Sequence, residues 1–243
     1  MIETTARLTC FPLLLAALCA AADPGPVPLN SLQLNGRAYL LNDGYIRLTR
    51  NSSEASSAFV PAPFTLGPND SFGAFFVYRS QQELGQCVAD GLAFVAQNTS
   101  AGPAYLGSDG SGLGFFTGTA SPAIGVTFDY YPNQITGTPA NAAAIATPAG
   151  VDLLWTPPVP PALSGPDEAR YVWVSYHNPT KVIKVFYSAT PAAPSLPLLE
   201  MTLPVDLSTL FGGQAYFGVT AGTGSCYSQQ FLLYLALDVV NNP

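Results

Sequence analysis

Oxygen ligands gather in one short stretch of this chain. Between Val126 and Ala143 an apolar run breaks at Pro132 into a polar loop. Asp129, the main-chain carbonyl of Tyr131 and Asn133 fall there on alternate positions. Carboxylate, carbonyl and amide oxygens are the ligands that a hard cation such as Ca²⁺ takes. A second carboxylate, Asp90, stands at the mouth of an apolar run from Cys87 to Ala96 that reads as a buried strand. Asp and Asn side chains also suit sugar hydroxyls, because a carboxylate accepts hydrogen bonds and an amide both accepts and donates them. Tyr130, Tyr131 and Tyr227 are candidates to stack on a sugar face. The Gly- and Ser-rich segment 101–120 would let backbone amides approach a ligand closely.

Other chemistries lack their residues. The only histidine, His177, sits in a hairpin turn, which excludes a Ser-His-Asp triad, a Cys-His pair and a His-rich zinc site. Glycoside hydrolysis needs two carboxylates facing one sugar, about 5–10 Å apart. After residue 22, glutamate occurs only at positions 54, 83, 168 and 200, and Asp167-Glu168 lie side by side in a Pro-rich loop. No enzymatic activity is expected. Two lysines and six arginines, unclustered, in a chain of net charge −7 leave no nucleic-acid surface.

The elements that must position these residues read as β-structure. The chain has 243 residues, 48% hydrophobic and 9% charged, with 22 glycines, 23 prolines and no long helical period. Short strands between Gly- and Pro-rich turns predict one all-β sandwich. Ala38–Thr49 reads as a hairpin turning at Asp43-Gly44. Residues 50–57 read as a polar loop, and Ser71–Arg79 as a central strand carrying too many aromatics for a wet face. Leu113-Gly-Phe-Phe should pack inward. Residues 140–149 look featureless, Val151–Trp155 is a short strand, and the Pro-rich 156–168 should lie on the surface. A hairpin pairs Tyr171–Tyr176 with Lys181–Tyr187. Asp206 is a helix N-cap. Thr220–Gln230 reads as a polar loop before a last strand, Phe231–Val240.

Residues 1–22 read as a signal peptide. Arg7 closes a short n-region, Leu8–Leu18 is the apolar core, and Ala20-Ala21-Ala22 offers a cleavage site. The apolar core is too short to span a bilayer, which needs about 20 residues. The expected product is secreted, with residues 23–243 as one domain and no transmembrane segment. Cys10 and Cys19 leave with the signal, so Cys87 and Cys226 have one intramolecular pairing available. Asn51, Asn69 and Asn98 open N-glycosylation sequons.

Together these residues resemble the legume-type (L-type) lectin family, from Leu32-Gln-Leu-Asn-Gly-Arg-Ala to Phe231-Leu-Leu-Tyr-Leu. The more specific pieces are Ala89-Asp90-Gly-Leu-Ala-Phe-Val, Val126-Thr-Phe-Asp-Tyr-Tyr-Pro-Asn133 and Ala215-Tyr-Phe-Gly-Val-Thr-Ala-Gly-Thr-Gly224. The Gly-rich run from Leu106 to Gly114 adds to them. The resemblance implies a jelly-roll β-sandwich of two antiparallel sheets that binds glycans or glycoproteins, with a homodimer as a further expectation. It implies that Asp90, after a cis peptide from Ala89, accepts sugar hydroxyls. Asn133 would touch both sugar and Ca²⁺. A loop glycine would donate its amide; Gly107, Gly110 and Gly112 are the alternatives, and Gly110 is taken as the site residue. Ala221 and Gly222, in the loop 221–228, would bear on specificity.

The metal loop departs from the family pattern. Thr127 stands for a glutamate, Thr138 for an aspartate and Ala143 for a histidine. Calcium keeps Asp129, the Tyr131 carbonyl and Asn133, a depleted set. The transition-metal site keeps Asp129 alone, so no transition metal is expected. In this fold the loops carrying Cys87 and Cys226 are neighbours at the sugar site. The resemblance therefore implies a Cys87–Cys226 disulfide that clamps the site where metals no longer do. The runner-up reading is a lectin-fold protein that has lost sugar binding and serves as a protein-binding or defence factor.

Overall fold

The computed structural model describes residues 24–82, 84–132, 140–160, 162–164 and 167–240. Residues 1–22, read from sequence as a signal peptide, lie outside them. In chain order the strands are β1 (Gly25–Pro26), β2 (Gln33–Gly36), β3 (Tyr39–Leu40), β4 (Ile46–Thr49), β5 (Glu54–Phe59), β6 (Phe64–Thr65), β7 (Ser71–Gln82) and β8 (Gly91–Gln97). They continue with β9 (Ala123–Asp129), β10 (Ala142–Thr147), β11 (Val151–Trp155), β12 (Ala169–His177), β13 (Val182–Ser188), β14 (Leu199–Thr202), β15 (Gln214–Thr223) and β16 (Ser228–Val240). One α-helix, α1 (Leu207–Phe211), precedes β15.

These strands make two eight-stranded antiparallel sheets. The first runs β14-β13-β12-β7-β16-β4-β3, with β1 on β16. The second runs β11-β10-β9-β8-β15-β5-β2, with β6 on β15. Strand β7 shows why the sheets stack. Successive side chains leave a strand on opposite faces. Phe72, Ala74, Phe76 and Tyr78 join the main core, where Phe76 meets Phe94 and Phe128 of the second sheet. Phe75 and Val77, on the other face, form a separate cluster with Trp173, Phe186 and Ala236. The strand is central, between β12 and β16, as its aromatic content required.

Segment 102–116 covers the outer face of the second sheet. Tyr105, Leu113, Phe115 and Phe116 pack there on Ala93, Val95, Ala123 and Ala146. Gly125 makes room: a Cβ at that position would lie 2.7 Å from the Phe115 ring. The hairpin at Asp43-Gly44 forms, with Gly44 at φ +88° and its amide bonded to the Leu41 carbonyl. Asp206 caps α1 by accepting from the Thr209 amide at 2.7 Å.

Four expectations about elements are corrected. Residues 54–59 form β5, not a loop; Ser56 and Ser57 are buried there because their hydroxyls donate to the Leu48 and Tyr105 carbonyls. Residues 142–147 form β10, whose alanines are fully buried between β9 and β11. The Pro-rich segment is not wholly at the surface. Val159 and Leu163 are buried in the core, and the Ala162 carbonyl accepts from Arg170 Nε and Tyr187 Oη, both at 2.9 Å. Finally, β15 runs on to Thr223 and β16 begins at Ser228, which shortens the loop between them. Of the sequons, Asn51 and Asn69 are exposed, while Asn98 is half-buried and donates from Nδ2 to the Phe211 carbonyl at 2.6 Å.

Candidate functional site

The site residues collect at one end of the second sheet. Gly91, the first residue of β8, pairs with Asp129, the last of β9, and with Gly222 of β15. Asp90 therefore enters the sheet between two neighbours that both end beside it. The expected strand over 87–96 starts only at Gly91, and residues 87–90 form the lead-in. The Ala89–Asp90 peptide is cis. Main-chain bonds hold it: the Asp90 amide donates to the Gly222 carbonyl at 3.1 Å, and the Asp90 carbonyl accepts from the Tyr130 amide at 2.7 Å. Ser228 Oγ donates to the Ala89 carbonyl at 3.0 Å.

The carboxylate held this way is 5% exposed, and its Oδ2 has no hydrogen-bond partner among the described residues. Burial pushes its pKa up to about 6; the Gly224 amide opposes that shift and the charge of Asp109 adds to it. A buried acceptor without a donor is costly. Here it faces loops instead of the hydrophobic core.

Those loops carry the matching donor. Residues 110–112 form a single 3₁₀ turn. The Gly107 amide is spent on the Gly114 carbonyl and the Gly112 amide on the Asp109 carbonyl. The amide of Gly110 makes no hydrogen bond among the described residues, nor does that of Ser111, as expected for the open N-terminal amides of a helical turn. Gly110 stands against Gly224, and Gly224 stands against Asp90 Oδ2. A Cβ on Gly110 would lie 3.6 Å from Gly224 Cα, and one on Gly224 would lie 3.2 Å from Asp90 Oδ2. Sequence reading placed Gly224 in the specificity loop 221–228 without a role of its own, and did not assign Asp109 or the Ser111 amide to the site. Main-chain donors leave no residue-type signal, although Gly224 closes the run from Ala215.

Ala221 and Gly222, expected in a loop, are strand residues. Both lie inside β15 and are buried. The 107–114 loop rests on them: a Cβ on Gly222 would come within 2.8 Å of the Gly110 carbonyl oxygen and 2.9 Å of Leu113 Cα. The Gly222 carbonyl also accepts from Gln230 Nε2 at 3.0 Å. Tyr130 is likewise no stacking surface, because it is 6% exposed and belongs to the core. Tyr131 is 39% exposed and Tyr227 half-buried. Cys87 and Cys226 are joined as a disulfide with Cα atoms 5.1 Å apart, tying the lead-in to Asp90 to the loop after Gly224.

The metal loop is less complete. Asp129 is buried and turns Oδ1 to the Tyr131 amide at 3.1 Å. Thr127 is buried in β9 opposite Ala144, and Ala143 is buried in β10 opposite Phe128. A hydroxyl and a methyl group thus stand where a transition metal would need a carboxylate and an imidazole. Among the described residues no three His, Cys, Asp or Glu side chains come together. Asn133 and Thr138 lie outside the described residues. The donors that are described do not fit a transition metal. They give calcium only the Asp129 carboxylate and the Tyr131 carbonyl, against the six to eight oxygens that it takes.

With this geometry in view, comparisons with known proteins become specific. A family model for the legume lectin domain matches residues 27–236. The L-type lectin-domain containing receptor kinase VIII.2 of Arabidopsis thaliana is 30% identical over 224 residues, covering 83% of this chain and 29% of the relative. The chain spans about a third of the length of the curated relatives it matches. Among solved structures, a lectin from Bauhinia forficata in complex with GalNAc superposes with a TM-score of 0.76 at 21% identity, over 90% of this chain and 98% of that one. Arcelin-5, a lectin-like defense protein from Phaseolus vulgaris, superposes with a TM-score of 0.69 at 16% identity, over 87% and 93%. The sandwich, the motif order and the family match agree: the chain belongs to the legume lectin domain family.

Proposed function

We propose that this domain is a carbohydrate-binding lectin that acts outside the cell and has no catalytic activity. The observation that carries the reading is the buried Asp90 carboxylate, whose Oδ2 has no partner among the described residues, beside a loop whose Gly110 amide bonds none of them. A sugar hydroxyl can donate to Oδ2, and a second hydroxyl can accept from the Gly110 amide. Asn133 is the further expected contact. Ionised, Asp90 accepts at both oxygens; protonated, it accepts more weakly and turns one oxygen into a donor. Residues 1–22 would deliver the domain to an oxidising compartment, where the disulfide forms and Asn51 and Asn69 are open to glycosylation. Glycans or glycoproteins are the proposed partners, and pairing into a homodimer is part of the same proposal. The Bauhinia forficata lectin, whose structure holds GalNAc, supports the sugar reading by fold.

The depleted metal loop favours a second reading, in which sugar binding is lost and the fold serves as a protein-binding or defence factor. A glycan array probed with purified protein, with and without chelator, separates the two. The lectin reading expects saturable glycan binding that persists in chelator and vanishes in Asp90→Asn. Absence of glycan binding under both conditions would transfer the assignment to the second reading.

A further inference from the structure

The segment 50–53 carries the chain from β4 in the first sheet to β5 in the second, and it arrives beside Asp90. Strand β5 pairs with β15 as far as Glu54 opposite Thr223. The Ser53 amide extends that ladder by donating to the Gly224 carbonyl at 2.9 Å. Gly224 is the residue that stands against Asp90 Oδ2 and Gly110. Thr223 Oγ1 donates to the Asn51 carbonyl at 2.6 Å. Asn51 is thus bonded to the residue that precedes Gly224.

A buried carboxylate holds the Asn51 side chain. Glu54 is 9% exposed; its Oε2 accepts from the Arg50 amide at 2.6 Å and the Asn51 amide at 3.1 Å, and its Oε1 accepts from Asn51 Nδ2 at 3.1 Å. Asn51 itself is exposed and opens the sequon Asn51-Ser52-Ser53. One of the two Nδ2 protons faces Glu54, and glycosyl transfer replaces the other. In that step Nδ2 bonds to the anomeric carbon of an oligosaccharide carried on a lipid diphosphate. The anomeric carbon–oxygen bond breaks, lipid diphosphate leaves, and Nδ2 gives up the proton. The bond to Glu54 survives the change.

The other two sequons lie at the far end of the sandwich. Gln82, at the site end of β7, pairs with Ser228, which bonds the Ala89 carbonyl. Asn69 precedes Ser71 at the other end of β7, about 36 Å away at roughly 3.3 Å per residue. Asn98 follows Gln97, which ends β8 about 20 Å from Gly91.

We propose that an N-linked glycan on Asn51 stands at the rim of the Asp90 site and screens its ligands by size, admitting small saccharides and holding off branched glycoprotein chains. The inference rests on the reading of Asp90 as a sugar acceptor. A bulky hydrated chain fixed beside Gly224 takes up the approach path of a large ligand, so association slows while the contacts at Asp90 stay intact.

The test uses the full chain secreted from a glycosylating host, as parent, Asn51→Gln, Ser53→Ala and Asn69→Gln. Ser53→Ala removes the sequon and keeps the Asn51 amide on Glu54, which guards against a local disturbance in Asn51→Gln. Glycopeptide mass spectrometry reads occupancy. The binding probes are free galactose, N-acetylgalactosamine, mannose, N-acetylglucosamine and fucose, and asialofetuin and ovalbumin, which carry sugars of this set on branched chains. Asn51 should be occupied in the parent. Asn51→Gln and Ser53→Ala should bind the glycoproteins at least about tenfold more tightly than the parent, with the affinity for the free sugar unchanged. Asn69→Gln should match the parent. An unoccupied Asn51, equal glycoprotein binding with and without its glycan, or the same gain in Asn69→Gln would overturn this inference alone. Silence of every folded form toward every probe would remove the lectin reading and this inference with it.

Discussion

At the scale of single residues, Asp90 carries opposite demands. Its pKa in the fold is about 6, against an ordinary value of 3.8. Between those pH values the native state keeps a proton that the unfolded chain has released, so the residue's contribution to stability falls as pH rises through that window. The full penalty above about pH 6 is at most about 3 kcal/mol. Asp90→Asn should therefore be more stable than the parent at pH 7.5, by about 1–3 kcal/mol in urea unfolding, and should match it near pH 4. Sugar binding should run the other way, weakening as pH falls through about 6. A variant that loses stability at pH 7.5 would show that the carboxylate is better solvated than its burial implies. The residue itself was legible in the Ala-Asp-Gly motif. The amides of Gly224 and Ser111 were not, because a main-chain donor can belong to any residue but proline. Small size also misled: Ala221 and Gly222 looked like open loop, yet Ala221 joins the core and Gly222 is small where another loop lies on it.

At the scale of elements, the lead-in to β8 and the loop after β15 are fastened by the Cys87–Cys226 bond. The two cysteines are 139 residues apart in sequence. Chain-entropy arguments assign such a long closure about 4–5 kcal/mol. Replacing both cysteines by serine should lower unfolding free energy by about that amount, and by less if the unfolded chain stays compact. Denaturant midpoints of the two proteins, each with its own slope, measure the difference. Elements with strong local signals were read correctly, such as the Asp43-Gly44 hairpin and the Asp206 cap. Strands β5 and β10 escaped because their cues are tertiary. Serines at 56 and 57 look like loop until their hydroxyls find the carbonyls of Leu48 and Tyr105. The alanines of β10 carry no β-preference, yet they suit a strand enclosed on both faces.

For the whole molecule, the sandwich is held without the family's full set of metal donors. Thr127 and Ala143 are buried within β9 and β10, so of the transition-metal donors only the buried Asp129 carboxylate brings a charge to that place. Excess chelator should leave the melting temperature unchanged to within about a degree, where one tightly held ion at a thousand times its Kd would contribute about 4 kcal/mol. A chelator-induced drop of several degrees would show that Asn133 and its neighbours complete a working calcium site. The disulfide has one more consequence, for durability against proteolysis. A protease that cuts the backbone once, anywhere between residues 88 and 225, would produce two fragments that remain one covalent molecule. Non-reducing electrophoresis would show an unchanged mass and reducing electrophoresis two bands. Because β7 and β16 lie side by side yet fall on opposite sides of any such cut, the nicked protein should keep its sandwich and go on binding.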